Sequence, residues 1–517
     1  MTRASVHTVN GEVNNMITAK MIIDRDYTLA RTDEKLFCSF VEPLGRCIYG
    51  GLYEPGHPSA DEKGFRRDVL DLIRPLNLTM NRFPGGNYTS TFRWEDSVGP
   101  KEKRPRRAEV AWQCIETNEF GLNEFADWSR LNGSDVMMTV NLATRGVLEA
   151  MDCVEYCNLE GGTYWSDLRR SHGYTAPHGY RYWCLSNEID GPWQVGQSTG
   201  TNYGLLAREA SKAMKLVDPD IKTVLAGSSS PDMPSFPDFD VDAMNAAWDQ
   251  VDYLSVHNYI SNLKGDTPNY LAKPLTTDRF FKQIGGLFSY IKAKNHSAHD
   301  LFISFDEFNT WHTVSGNERM EKPRWGIAPP LLEDTYTMED ATALGSMLIT
   351  ILRNCDLVKI ACMSELCNCI SHIRTRTGGG CWVLPPYYAF LHYSRYGRGV
   401  VLIPRIDSPK YDSRDYSDVP YLDAVPVQND DGTITVFAVN RSLTEKMTLR
   451  IELRGFEGDY TPNEWITMSH PDPKATNTED RPANVSPRKG TADIEDGILC
   501  ADLDPLSWNV IRLRRQK

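Results

Sequence analysis

The feature that most constrains this chain is a recurring unit, an apolar run ending in a polar residue and followed by a segment of helical length. The runs fall at 37–42, 78–82, 136–141, 182–188, 223–228, 251–257, 301–307 and 358–365. Four to six apolar residues in succession need burial on both faces, as the strands of a parallel sheet do. Between them lie amphipathic segments at 64–76, 119–131, 147–158, 203–217, 280–294 and 338–354. Strand then helix, repeated around one core, predicts an α/β fold in the form of a closed (β/α)8 TIM barrel. A doubly wound sheet shares the local pattern, but no glycine-rich turn of dinucleotide spacing follows the first run.

Beyond 399 the helical period stops. Short alternating runs take over at 433–439, 447–453, 464–468, 492–494 and 508–513, separated by turns such as Asn429-Asp430-Asp431-Gly432. These predict a second, smaller all-β sandwich domain with antiparallel strands, and the isolated apolar piece at 17–23 is free to complete one of its sheets. The expected division is 31–398 for the barrel and 1–30 plus 399–517 for the sandwich, with 471–487 a polar, mobile loop. A chain of 517 residues exceeds what one compact core usually holds, so two units agree with its length.

Composition narrows the partners. Hydrophobic residues make up 41% and charged ones 24%, the balance of a folded soluble protein, and no stretch approaches a membrane span. A net charge of -13 disfavours nucleic acid and anionic membranes. The one basic run, 101–107, contains Pro105 and reads as a solvated loop. Residues 1–20 are polar, with Asn14 and Asn15 where a signal peptide needs an apolar core, so a cytoplasmic location is expected. Of the 12 cysteines, Cys38, Cys184 and Cys362 sit inside apolar runs as small hydrophobes. Cys153 with Cys157, and Cys362 with Cys367 and Cys369, lack the paired spacing of a zinc site, and neither metal nor cofactor is expected.

The carboxyl ends of barrel strands form the face where active sites sit. The polar residues there are Glu42, Arg82, Asn87, Asn141, Asn187 with Glu188, His257 with Tyr259, Glu307 and Glu365. Any one of them alone could be a satisfied strand-end cap; together they furnish one cleft. Two carboxyls there, Glu188 and Glu307, fit glycosidic bond cleavage, in which one group donates a proton while the other attacks. Arg82, His257 or Tyr259 would hold the nucleophile ionised, and Asn187 could donate to a sugar hydroxyl. Trp112, Trp183, Trp193, Trp311 and Trp325 offer apolar faces for sugar rings.

The ordered series of motifs resembles the α-L-arabinofuranosidases of glycoside hydrolase family 51. It comprises Phe40-Val41-Glu42-Pro43-Leu44-Gly45-Arg46, Arg82-Phe83-Pro84-Gly85-Gly86-Asn87, Val154-Glu155-Tyr156-Cys157-Asn158, Ser166-Asp167-Leu168-Arg169, the stretch 184–194, Val256-His257-Asn258-Tyr259, Ser304-Phe305-Asp306-Glu307 and Ala328-Pro329-Pro330-Leu331-Leu332-Glu333-Asp334. The resemblance implies a retaining, exo-acting enzyme that releases terminal arabinofuranosyl residues from oligosaccharides. In it Glu188 after strand four is the acid/base and Glu307 after strand seven the nucleophile, and Glu42, Arg82, Asn87, Asn187, His257 and Tyr259 line the sugar site. It also implies an intracellular, metal-free homo-oligomer, often a hexamer. Three positions depart from the family pattern: Pro43 replaces His, Phe308 replaces Trp, and Glu365 stands where a sugar-binding Gln is usual. Glu365 could bind sugar or turn away to pair with Arg374 or Arg376. The alternatives left open are the same chemistry on another pentofuranoside, a galactofuranoside or a β-glucan, and a sugar-binding protein without catalysis.

Overall fold

The computed structural model describes residues 16–312, 324–495 and 498–516; the first fifteen residues of the expected sandwich segment lie outside them. Eight parallel strands close a barrel: β1 (Cys38–Phe40), β2 (Met80–Phe83), β3 (Asp135–Val140), β4 (Tyr182–Leu185), β5 (Lys222–Ala226), β6 (Tyr253–Ile260), β7 (Phe302–Thr310) and β8 (Val358–Met363). Cys362 opposite Cys38 completes the ring. Each strand is followed by a helix: α1 (Arg67–Ile73), α2 (Leu122–Asn132), α3 (Val147–Asn158), α4 (Gly200–Val217), α5 (Asp238–Ala247), α6 (Pro274–Lys294), α7 (Met338–Arg353) and α8 (Pro386–Tyr396). Among the described residues no helix is long and apolar enough to cross a membrane.

Two helices escape the periodicity reading. α5 is short and packs its alanines on α4, where a Cβ on Gly204 would come within 2.8 Å of Ala246 Cβ. Small residues carry little hydrophobic signal, yet they allow that close approach. α8 holds Tyr387, Tyr388, Phe390, Tyr393 and Tyr396, and aromatic residues on several faces blur an apolar stripe.

The lower barrel interior is a dry plug of Cys38, Phe40, Met80, Met137, Cys184, Val224, Ile360 and Cys362. All twelve cysteines are free thiols. In the barrel they fill a narrow axis that larger side chains would overpack. Above the plug the side chains become charged, and the Arg82 guanidinium lies 4.9 Å from the centre of the Phe40 ring.

The second unit is two stacked sheets. Its labelled strands are β9 (Leu422–Gln428), β10 (Ile434–Asn440), β11 (Lys446–Arg454), β12 (Tyr460–Met468), β13 (Ile498–Leu503) and β14 (Ser507–Arg515). One sheet has seven strands in the order Thr28–Arg31, Val400–Leu402, β9, β10, β14, β12, Arg488–Lys489; the other has five, in the order Arg405–Asp407, Met16–Asp24, β11, β13, Ala492–Glu495. Alternation divides β10 between two cores: Ile434, Val436 and Ala438 face the second sheet, whereas Phe437 and Val439 join the barrel core. Trp508 of β14 presses on α7 at Gly345, where a Cβ would come 2.5 Å from the indole. One large hydrophobic surface thus joins sheet to barrel.

Three expectations need correction. The strand Met16–Asp24 pairs parallel with β11, so the sandwich is not antiparallel throughout; parallel pairing requires a long crossover, and the whole barrel is that connection. The segment 471–487 is not a free loop. Its carbonyls at Pro473 and Ala475 accept the Glu339 and Met338 N–H groups (3.0 and 2.9 Å), which the first turn of α7 leaves without partners, while Asn477 bonds the Val383 and Val485 carbonyls. The basic run is not wholly solvated either: the Arg104 side chain is 3% exposed, with its guanidinium forked onto Glu124 at 2.9 Å for each nitrogen.

Candidate active site

The barrel mouth assembles the expected residues from the ends of six strands, β1, β2, β4, β6, β7 and β8. Glu307 lies in β7, where pairing with both neighbours slips: Ser304 opposes Ser255 but Glu307 opposes His257, and on the other side Phe305 opposes Ala361 while Phe308 opposes Met363. An extra residue in β7 is a bulge, and it breaks the alternation that would send consecutive side chains to opposite faces. Asp306 and Glu307 therefore both meet Arg82 of β2, at 3.8 and 2.7 Å.

Glu188 reaches the same place from the loop after β4. Ser186 and Glu188 adopt left-handed backbone, φ +79° and +43°, which costs a non-glycine residue free energy and persists where surrounding contacts enforce it. Those contacts include Gly191 N–H to the Glu188 carbonyl (2.9 Å) and the Asp190 carboxylate, which accepts from the backbone and hydroxyl of Ser229, both at 3.1 Å.

A carboxylate oxygen of Glu188, one of Glu307 and a nitrogen of His257 lie within 4.8 Å of one another. Glu307 accepts from Arg82 Nη1 (2.7 Å) and from the Tyr259 hydroxyl (3.0 Å). Glu188 accepts from Trp193 Nε1 (2.7 Å) and contacts His257 Nδ1 (2.9 Å), and the same nitrogen is 3.6 Å from Glu307. The far nitrogen of His257 is 3.1 Å from Asp306 Oδ1. Burial opposes the charged imidazole, but Glu307, Asp306 and Glu188 outweigh it and hold His257 up at about 10. Burial pushes Asp306 up, and Arg82, His257 and Ser255 bring it below the ordinary carboxyl range. Glu307 is raised, with burial and Glu188 pushing up against His257 and Arg82.

The remaining candidates form a shell. Arg82 Nη2 donates to Asn187 Oδ1 at 2.6 Å, and Asn187 Nδ2 reaches Asn87 Oδ1 at 3.3 Å. Glu42 accepts from Tyr88 N–H (2.8 Å) and Trp112 Nε1 (2.7 Å). Glu365 accepts the Glu42 backbone N–H at 3.2 Å. It pairs with neither arginine: Arg374 bonds the Asn368 and Asp334 carbonyls, and Arg376 pairs with Glu479. Burial, reinforced by nearby carboxylates, raises both Glu42 and Glu365 well above the usual carboxyl range.

The tryptophans divide. Trp193 is half exposed over Glu188, and Trp311 packs edge-on against Tyr259. Trp112 is only 6% exposed and serves as a donor to Glu42 rather than an open stacking face. Trp183 is fully buried in β4 and offers no face to a sugar; Trp325 is exposed and bonds the Gln113 carbonyl. Asn141 binds the Ser90 and Phe92 carbonyls and ties loops together below the site. Asp306 and Ser255 were not foreseen, because strand alternation places Asp306 on the face opposite Glu307 and only the bulge reverses that.

A closed parallel barrel with one buried carboxyl in the loop after its fourth strand and another within its seventh, ringed by sugar-compatible donors and aromatics, is the framework of a glycoside hydrolase. Residues 72–270 match the model of the α-L-arabinofuranosidase 1 domain, and 306–507 that of the α-L-arabinofuranosidase C-terminal domain. An intracellular exo-α-(1→5)-L-arabinofuranosidase of Halalkalibacterium halodurans is 48% identical over 97% of this chain and 100% of its own; another from Bacillus subtilis is 47% identical with the same coverage. The structure of a family 51 α-L-arabinofuranosidase from Bifidobacterium longum superposes with a TM-score of 0.92 at 36% identity, covering 96% of this chain and 99% of that one. The chain belongs to the α-L-arabinofuranosidases of glycoside hydrolase family 51.

Proposed function

We propose that the protein removes terminal α-L-arabinofuranosyl residues from the non-reducing ends of arabino-oligosaccharides by double displacement, with Glu307 as nucleophile and Glu188 as acid/base. The observation that carries this is the close approach of the two carboxyls, within 4.8 Å. Retaining sites hold theirs about 5–5.5 Å apart, which leaves no room for an attacking water between carboxylate and sugar. Buried like charges at this distance keep one proton between them. Arg82 and Tyr259, donating to Glu307, stabilise it as the carboxylate that attacks, and Glu188 is the group that donates the proton. Glu307 attacks the anomeric carbon as the Glu188 proton passes to the departing oxygen. Water then attacks the same carbon, Glu188 takes its proton, and the bond to Glu307 breaks.

In this reading Glu42, Arg82, Asn87, Asn187, His257, Tyr259, Glu365, Trp112 and Trp311 surround the furanose. Arg82 fixes Asn187 so that its amide can bind a hydroxyl next to the reacting carbon, and Glu365 presents its carboxyl to the sugar where an amide is usual. The names of the relatives favour α-(1→5) linkages and an intracellular location. A homo-oligomer, a barrel spanning 31–398 and a sandwich of 1–30 plus 399–517 belong to the same proposal. Proton NMR of the first-formed arabinose tests the chemistry: the product keeps the substrate's anomeric configuration, and direct appearance of the inverted anomer would remove the mechanism. Glu307→Ala should cost about 10³-fold or more in kcat, since no covalent intermediate forms without it.

A further inference from the structure

Asp306 is buried to 0% exposure and has no part in the mechanism above, yet it anchors the network beneath the two carboxyls. Oδ1 accepts from Ser255 (2.6 Å) and meets His257 Nε2 (3.1 Å); Oδ2 accepts from Ser304 (3.1 Å) and contacts Cys184 Sγ (3.7 Å) and Arg82 Nε (3.8 Å). We propose that Asp306 is a positioning residue that holds His257 as an imidazolium between itself and Glu188, giving the reaction one fixed counter-charge for a negative charge that moves.

Geometry carries this. His257 has a carboxylate oxygen within hydrogen-bonding distance of each ring nitrogen, Glu188 at 2.9 Å and Asp306 at 3.1 Å. A neutral ring carries one N–H and would need a proton from Glu188 for its other nitrogen, a partner lost once that proton leaves with the aglycone; the imidazolium donates to Asp306 and to Glu188 in both states. The β7 bulge is what makes the arrangement available, since it turns Asp306 to the face of Glu307. Other titratable or charged groups facing the pair are Arg82 from β2, Cys184 from β4, Glu188 and Asp190 from the next loop, Tyr203 from α4, Glu307 from β7 and Cys362 from β8.

The consequence rests on the double-displacement reading. In the free enzyme Asp306 and Glu307 are negative, Glu188 is protonated, and Arg82 and His257 are positive, so the cluster is neutral. When Glu307 becomes an ester and the Glu188 proton leaves with the aglycone, Glu188 carries the charge that Glu307 lost. The cluster is neutral again. His257 Nδ1, 2.9 Å from Glu188 and 3.6 Å from Glu307, faces the charge in both states. Neither half-reaction then builds an unpaired charge in a buried site.

The test combines nitrogen-15 NMR of histidine-labelled full-length protein with pH–rate profiles on an aryl α-L-arabinofuranoside. His257 is assigned by the signal missing from His257→Gln. In the wild type both ring nitrogens should stay protonated through pH 8. In Asp306→Asn the ring should titrate near its ordinary value of about 6.5, adding a basic limb to kcat, with the loss against wild type growing to at least about tenfold as pH passes 7. A loss equal at every pH would mark a merely structural role and overturn the proposal, as would a neutral His257 in the wild type; the latter reading holds even where the variant fails to fold. An inverted product would count against the double displacement alone, because the charge on His257 is read independently of it.

Discussion

Glu188 occupies its position through left-handed backbone at both Ser186 and itself, and no local propensity of Ser-Asn-Glu predicts that. The strain is compensated by the Asp190–Ser229 contacts and by the Trp193 indole, which fixes one carboxylate oxygen. Glu188→Ala separates the two proposed roles. A dinitrophenyl leaving group needs no proton, so the first step survives and the glycosyl-enzyme accumulates; azide, small and needing no general base, should restore turnover by about 10²-fold or more and yield the glycosyl azide. Loss of activity regardless of leaving group, with no effect of azide, would rule out the acid/base assignment. The identities of both carboxyls were legible because each ends an apolar run. Their partners were only partly so: Arg82, His257 and Tyr259 lie at strand ends, whereas Asp306 was hidden by a bulge that leaves no mark in the sequence.

Short elements do as much as strands to shape the cleft. The turn Pro84-Gly85-Gly86 lets Glu42 and Arg82 meet the backbone closely, and Gly86, at φ +78°, would place a Cβ 2.1 Å from the Glu42 carboxylate. Gly86→Ala therefore both strains the backbone and expels Glu42 from its bonds to Tyr88 and Trp112. Stability should fall by about 1–3 kcal/mol in urea unfolding, and kcat/KM on an aryl arabinofuranoside by at least about tenfold. An unchanged KM and kcat would mean that Glu42 does not bear on the sugar. Helix α7 shows the opposite dependence, of an element on a distant loop: Thr337 and Asp340 form a capping box, and the carbonyls at Pro473 and Ala475 serve its first free N–H groups. The polar loop composition concealed this, because backbone carbonyls do that work and composition records only side chains.

Sheet and barrel behave as one body where α7 and α8 meet β14. The Trp508 indole donates to His392 Nδ1 at 3.2 Å, so the buried imidazole must be neutral there, and burial lowers it to about 4. The unfolded chain, with histidine near 6.5, binds more protons than the native state between those values, so this contribution to stability is full above about pH 6.5 and is lost as pH falls toward 4. It amounts to on the order of 3 kcal/mol. Urea midpoints measured from pH 7 down to 4.5 should fall less for His392→Gln, which cannot titrate, than for wild type; parallel curves would show that the junction does not sense pH. Barrel and sandwich should therefore loosen together in acid.

Residue order determined the alternation of buried strands and amphipathic helices, and the absence of a dinucleotide-spaced glycine turn set the barrel ahead of a doubly wound sheet; it also marked the second unit through the change to strand alternation after 399. It also placed two carboxyls at strand ends four and seven. What tertiary structure decided was whatever depends on neighbours remote in sequence: the parallel docking of Met16–Asp24 on β11, the aromatic-rich α8 and small-residue α5, the burial of Trp183, and the pairing of Arg374 and Arg376 with groups other than Glu365. The bulge in β7 belongs with these. Register is set by how three strands pack together, so the face that Asp306 shares with Glu307 exists only once the barrel has closed.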